Sequence, residues 1–254
     1  MLNIDLTGKV AVVTGATGEL GHTMARTLAV CGADVAVHYL RNAEKAEALA
    51  ADIRALGRRS VAVQADVTEL ASVQAMAEVV RGELGQAAII VNNAVSQYGW
   101  TSVLEQAPED FTDQFRSCVL QTVHMAKVFV PAMQAKNWGR VIVISTECAM
   151  QCHPHQGAYA SAKRGLDGVV RVLAKEIGMH QVTVNQVAPG WTISDRVRAE
   201  GSEEQAGYTH SVPLARRGTD QEIASAVAFL ASDLASFISG AYLPVCGGNV
   251  MPGI

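Results

Sequence analysis

With 254 residues, 49% of them hydrophobic and 17% charged, the chain has the size and composition of one domain with a large core and no disordered character. A formal net charge of -4 argues against the concentrated Lys/Arg surface that a nucleic-acid partner requires. Five cysteines, odd in number and scattered at 31, 118, 148, 152 and 246, fit reduced thiols in a cytoplasmic protein better than a disulfide framework.

The N-terminus MLNIDLTGKVAVV has no basic start, apolar core or small-residue cleavage site, so no signal peptide is expected. No segment reaches the roughly 18 uninterrupted apolar residues of a membrane span. The longest candidate, 119–133, is broken by Gln121, His124, Lys127 and Pro131. No membrane partner is expected.

In chain order, VAVVT (10–14) predicts a first strand, and 20–31 a helix with Leu20, Met24, Leu28 and Cys31 on one face. VAVHY (35–39) precedes a helix over 43–56, SVAVQ (60–64) precedes one over 70–80, and IIVNN (89–93) closes a fourth run. RVIVIS (140–145), VTVNQV (182–187) and AYLPV (241–245) supply three more strands. Nearly continuous apolar runs mark strands buried on both faces of a parallel sheet. Alternation along the whole length, with no repeat and no linker, predicts one doubly wound α/β domain over 1–254. In such sheets ligands bind beyond the carboxyl ends of the strands, so the residues after each run carry the functional information.

After the first run comes GATGELGH, with Gly15, Gly18 and Gly21 at a strand-to-helix turn. Glycines there admit a pyrophosphate to the backbone and to a helix N-terminus; the plain alternative is a tight turn needing positive φ. Glu19 stands out, because a carboxylate beside a pyrophosphate is repelled unless its side chain turns outward. The second strand ends without the acid that accepts from the ribose of NAD; His38 and Arg41 stand nearby, and an arginine suits the 2′-phosphate of NADP. Arg41 as an ordinary solvated residue is the competing reading. Asp66-Val67 can bracket an adenine, or Asp66 can cap a helix.

The sequence resembles the short-chain dehydrogenases/reductases over its whole length. The resemblance rests on TGATGELG, Asp66-Val67, NNAV (92–95), YASAK (159–163), NQVAPGW (185–191), PLARRG (213–218), FLASDLASFISG and LPVCGG, in that order and spacing. Within the family it looks most like the 3-oxoacyl-acyl-carrier-protein reductases and the sugar, polyol and steroid dehydrogenases. The resemblance implies a Rossmann-type seven-stranded parallel sheet with helices on both faces, carbonyl/alcohol redox chemistry and a homotetramer. The implied cofactor is NADP, with NAD possible. Implied cofactor contacts are Gly15, Thr17, Gly18, Glu19, Leu20 and Gly21 in the first loop, and Tyr39, Arg41, Asp66 and Val67 beyond the next two strands. Asn93, Ala94, Val95, Pro189, Gly190, Ile193 and Ser194 complete them around the nicotinamide, together with Tyr159 and Lys163.

Reducing a ketone needs a hydride at carbon and a proton at the developing alkoxide. Tyr159 and Lys163 are four residues apart, hence on one helix face, where the ammonium is expected to acidify the phenol. The family's hydroxyl donor, thirteen residues before the tyrosine, falls on Thr146; strand alternation is expected to turn its neighbour Ser145 the other way. The family's asparagine in the long helix falls on Cys118, a weak hydrogen-bonding group, and the glycine of NNAG is Val95.

Cys148, Cys152, His153 and His155 lack the paired short spacing of a zinc site, so no metal is expected and these residues read as cleft lining or solvated loop. Val95–Trp100 and Trp191 are further candidate walls, and 195–214 reads as a mobile lid or a solvated charged loop. The leading function is an NADP(H)-preferring oxidoreductase on a small carbonyl/alcohol substrate, with Tyr159 as general acid/base, Lys163 its partner and Thr146 the oxygen-polarising donor. Glu19, Val95 and Cys118 together motivate an alternative, a catalytically weak or silent dinucleotide-binding regulator. Dehydratase or isomerase chemistry on the same cofactor is a third reading.

Overall fold

The computed structural model describes residues 3–253. Seven apolar runs form the seven strands: β1 (Val10–Val13), β2 (Asp34–Tyr39), β3 (Ser60–Gln64), β4 (Ile89–Asn92), β5 (Gly139–Ile144), β6 (Val182–Pro189) and β7 (Tyr242–Val245). All pair in parallel, in the order β3-β2-β1-β4-β5-β6-β7. The principal helices are α1 (Glu19–Val30), α2 (Ala43–Ala55), α3 (Leu70–Glu83), α4 (Pro108–Phe115) and α5 (Gln121–Lys136). They continue as the one-turn α6 (Cys148–Gln151), α7 (Gly157–Ile177), the short α8 (Asp195–Ala199) and α9 (Ala206–Thr209), and α10 (Asp220–Ala231). A π-helical turn, Arg116–Leu120, joins α4 to α5.

Alternation within each buried strand feeds two cores. Val10, Val12, Ile90, Val141 and Val143 pack with side chains of α3, α5 and α7 on one face. Ala11, Val13, Ile89, Val91 and Ile142 pack with α1, α2 and α10 on the other. Burial on both faces is why the runs are continuously apolar. Among the described residues no helix is long and apolar enough to cross a membrane.

Chain order reverses between β1 and β4, since β2 and β3 lie to one side of β1 and β4–β7 to the other. The crevice beyond the strand ends at this reversal receives the loops after β1, β4, β5 and β6.

Candidate active site

The loop after β1 is shaped by backbone requirements only glycine meets. Gly15 has φ +62°, and a Cβ there would stand 3.0 Å from Ala94 Cα. A Cβ on Gly21 would come within 2.2 Å of the Gly15 carbonyl oxygen. α1 starts at N-cap Gly18 with no side-chain cap, whereas Asn42, Ser194 and Thr219 cap α2, α8 and α10. Its first-turn N–H groups thus face outward without a side-chain acceptor, and this cradle fits the pyrophosphate of a dinucleotide.

The loop is propped from behind. Gly15 N–H donates to His38 Nδ1 at 2.9 Å, and His38 Nε2 lies 2.9 Å from the Ala65 carbonyl. The imidazole is therefore neutral with its proton on Nε2, and burial holds its pKa below the ordinary value. His38 is a structural strut. Thr14 Oγ1 donates to Gln121 Oε1 at 2.6 Å and accepts from the N–H groups of Asn93 and Ala94, tying β1, β4 and α5 together. Asn93 Nδ2 donates to the Thr14 carbonyl at 2.9 Å.

The Glu19 side chain is partly exposed but does not stand free in solvent. Its carboxylate reaches across to the segment after β6, accepting from Ser194 Oγ and from Arg196 Nε, the latter at 2.5 Å. Partial burial raises its pKa, but the hydrogen bonds from Ser194 and Arg196 and the Arg196 charge outweigh this, so the carboxyl titrates below its ordinary range. At the ends of β2 and β3, Tyr39 is half-buried, Arg41 is exposed and Val67 is buried. Asp66 Oδ1 accepts from the backbone and hydroxyl of Thr68 at 2.9 and 2.7 Å, closing a turn before α3.

A cavity of about 690 Å³ lies at the reversal point and brings Thr146, Tyr159 and Lys163 together. Glu19, Leu20, Asn93, Val95, Pro189, Gly190 and Ser194 also line it. Gly15, Thr17, Gly18, Gly21 and Ala94 are not among the residues lining it, nor are Tyr39, Arg41, Asp66, Val67 and Ile193. Ile193 is instead held by a backbone hydrogen bond to Gly218.

α7 sets Tyr159 and Lys163 one turn apart, with Lys163 Nζ 5.7 Å from the centre of the tyrosine ring. The ammonium is buried and donates to the Ile144 carbonyl at 2.7 Å, which fixes it at the end of β5. The sequence-based expectation was an acidified phenol. Here burial pushes the Tyr159 pKa upward, and the hydrogen bond with Thr146 only partly offsets it. Thr146 Oγ1 also accepts from Cys148 N–H at 3.2 Å, which orients the hydroxyl.

Ser145 lines the cavity as well as Thr146, contrary to the alternation argument. β5 ends at Ile144, so pleating no longer alternates the two residues that follow it. Cys118 is buried in the π-helical turn, where the widened backbone sets apart the helix segments before and after it. Val95 is half-buried and packs on the α3/α5/α7 core as well as lining the cavity.

Glu147 escaped the motif-based reading. Its carboxylate is buried, accepting from the Tyr208 hydroxyl at 2.8 Å and from Asn249 Nδ2 at 3.0 Å. Tyr208 O–H in turn accepts from Trp191 N–H at 2.8 Å, and burial and Glu147 both push its pKa up. Cys148 and His153 line the cavity, while Cys152 and His155 sit in left-handed backbone on the exposed loop. Among the described residues no three His, Cys, Asp or Glu side chains converge as a metal site.

A family model described as enoyl-(acyl carrier protein) reductase matches residues 15–249. The 3-oxoacyl-(acyl-carrier-protein) reductase FabG of Escherichia coli is 36% identical over 251 residues, covering 98% of this chain and all of that one. Its Pseudomonas aeruginosa counterpart is 35% identical over the same length and the same shares of both chains. A 7α-hydroxysteroid dehydrogenase solved with NADH and 7-oxo glycochenodeoxycholic acid superposes with a TM-score of 0.88 at 30% identity, covering 98% of this chain and 97% of its own. A gluconate 5-dehydrogenase of Burkholderia cenocepacia solved with NADP and tartrate gives 0.88 at 27% identity, covering 97% of each chain.

Proposed function

The chain belongs to the short-chain dehydrogenase/reductase family, and from that premise we propose that it is an NADP(H)-preferring carbonyl reductase, a single catalytic domain assembled as a cytoplasmic homotetramer. It is an NAD(P)-dependent oxidoreductase that interconverts a ketone or aldehyde and an alcohol by hydride transfer. The observation that carries the assignment of roles is the convergence of Thr146, Tyr159 and Lys163 in one cavity beside the glycine cradle.

When bound, the nicotinamide supplies or accepts the hydride. The glycine loop and the first turn of α1 hold the pyrophosphate, and Lys163, fixed by the Ile144 carbonyl, holds the nicotinamide ribose. Tyr159 keeps its proton because burial favours the neutral phenol, so it is poised to donate to the substrate oxygen in reduction. Thr146 donates a hydrogen bond to the same oxygen, where charge develops in the transition state.

Preference for NADP is supported by exposed Arg41 just past β2, at a position where no carboxylate competes for the 2′-phosphate. Five free cysteines support a reducing compartment. The placement of Arg196, Val197 and Tyr208 on the cavity wall supports the 195–214 segment as a lid.

Tyr159→Phe is expected to lower ketone reduction by about 10²- to 10⁴-fold in a protein that still binds NADPH, as read by tryptophan fluorescence. Arg41→Ala in the same titrations is expected to erode the preference for NADPH over NADH. A Tyr159→Phe enzyme with wild-type turnover overturns the assignment.

A further inference from the structure

Beyond Thr146 and Tyr159 the cavity is walled unlike any other part of the molecule. Of three tryptophans and five tyrosines in the chain, Trp100, Trp191, Tyr98, Tyr159 and Tyr208 line it, and no phenylalanine does. Trp100 stacks on the Tyr159 ring, centroids 6.1 Å apart and planes 26° apart, so a flat apolar face adjoins the proton donor. Trp191 is fixed edge-on by Tyr208 at 5.6 Å and by the Arg217 guanidinium 4.8 Å from its ring. Both Trp100 and Trp191 remain half exposed, at 54% and 50%. Covering such faces with a ring is favourable through apolar burial and close dispersion contact.

The polar groups are equally selective. Gln156 lines the same cavity, is only 8% exposed, and its Oε1 has no hydrogen-bond partner. A buried amide oxygen without a donor is costly and is relieved by a ligand that supplies one, such as a hydroxyl. Charge disfavours an anion. Glu147 places a buried carboxylate beside Thr146, Arg196 is paired with Glu19 and Glu200, and the Lys163 ammonium is engaged by the Ile144 carbonyl. Apart from the exposed His153 at the rim, no other Lys, Arg or His side chain lines the cavity.

Resting on the oxidoreductase reading above, we propose that the substrate is a neutral ring ketone carrying a hydroxyl group, or the corresponding alcohol. Trp100 receives the ring face, Gln156 Oε1 accepts from the hydroxyl, and these two residues set the specificity. The reaction balances as ketone, reduced nicotinamide and one proton giving alcohol and oxidised nicotinamide, so no further reactant is needed.

The test is a kcat/KM series with NADPH on 2-hydroxycyclohexanone, cyclohexanone, 5-ketogluconate and acetoacetyl-coenzyme A, using the full chain. 2-Hydroxycyclohexanone is expected to exceed each of the others by at least about tenfold. Gln156→Leu is expected to bring the ratio of kcat/KM for 2-hydroxycyclohexanone to that for cyclohexanone down to about one, and an unchanged ratio overturns the role given to Gln156. Trp100→Ala is expected to raise KM for both ring ketones at least about tenfold with NADPH affinity unchanged. An activity-independent readout is calorimetric binding of trans-1,2-cyclohexanediol to the NADPH-loaded wild type, weakened at least about tenfold in Trp100→Ala. Preference for the thioester or the carboxylate overturns the substrate class and leaves the oxidoreductase reading standing. NADPH binding with no turnover of any ketone overturns both.

Discussion

At the scale of single residues, the site turns on how one phenol is held. Burial dominates the environment of Tyr159, and the Lys163 ammonium is directed to a backbone carbonyl, so the proton stays on the phenol through neutral pH. A raised pKa has opposite consequences for the two directions. Reduction uses the protonated phenol and is expected to be flat in kcat from about pH 6 to about pH 9, whereas oxidation needs the phenolate and is expected to climb over that range. Paired pH profiles of the two directions check this; oxidation that falls as pH rises contradicts it. The pair Tyr159 and Lys163 was legible in the sequence because a spacing of four is a helical turn, and Thr146 because of its offset from the tyrosine. Glu147, His38 and Gln121 were not. Glu147 gains its role from Tyr208 and Asn249, 61 and 102 residues away, and a lone acid after a strand carries no local signal of such partners. His38 occupies a buried strand position where its neighbour in the sequence, Arg41, drew the attention, yet its bonds run to the Gly15 and Ala65 backbones.

At the scale of elements, the seven strands and the first three helices were read to within a few residues, because buried strands write apolar runs and amphipathic helices write a 3.6-residue period. The π-helical turn over Arg116–Leu120 writes neither, and its one extra residue is visible only in the backbone. The segment after β6 was readable as charged but not as tied down. Its helix α8 is bound to the body by Arg196 to Glu19 and by Arg198 to Asp220 at 2.6 Å, with Asp220 also accepting from Thr23 of α1. The Arg196 pair joins the segment after β6 directly to the first turn of α1, the turn proposed to hold the pyrophosphate. Glu19 therefore opposes the cofactor in two ways, by its own charge and by occupying Arg196. Glu19→Gln removes both, and is expected to tighten NADPH about three- to tenfold, the size of a partly exposed charge interaction. Arg196→Ala leaves Glu19 uncompensated and is expected to weaken it by a similar factor. Fluorescence titrations of the two variants check the signs; weaker binding by Glu19→Gln means the carboxylate supports the cofactor rather than resisting it.

At the scale of the molecule, a parallel sheet covered on both faces explains why fold class was the most legible property of the chain. The central strands are rich in apolar residues because both their faces are covered, and the reversal between β1 and β4 leaves a crevice into which the loops after β1, β4, β5 and β6 converge. What the sequence does not announce is which outer surfaces would meet another copy in the proposed homotetramer, since one amphipathic helix face looks like another until packing shows which side is already covered. Two apolar patches among the described residues are candidates for such faces. One is a groove of about 540 Å³ between the outer sides of α5 and α7, lined by Val123, Val130, Val169, Val172 and Leu173. Val172 there is 56% exposed. The other surrounds Phe237, wholly exposed, with Leu234 beside it after α10. A tetramer with two-fold symmetry needs two different self-complementary faces, and these are two. Each patch is mild enough that a single charge should disrupt it, because an unpaired carboxylate buried across a two-fold axis meets its own copy. Val172→Asp and Phe237→Asp are each expected to reduce a tetramer of the 26.8 kDa chain to a dimer, and the double variant to a monomer. Light scattering on the eluting peaks checks the masses, with circular dichroism to show that each variant is folded. A wild-type chain that elutes as a monomer, or single variants that remain tetrameric, removes these faces as the assembly surfaces.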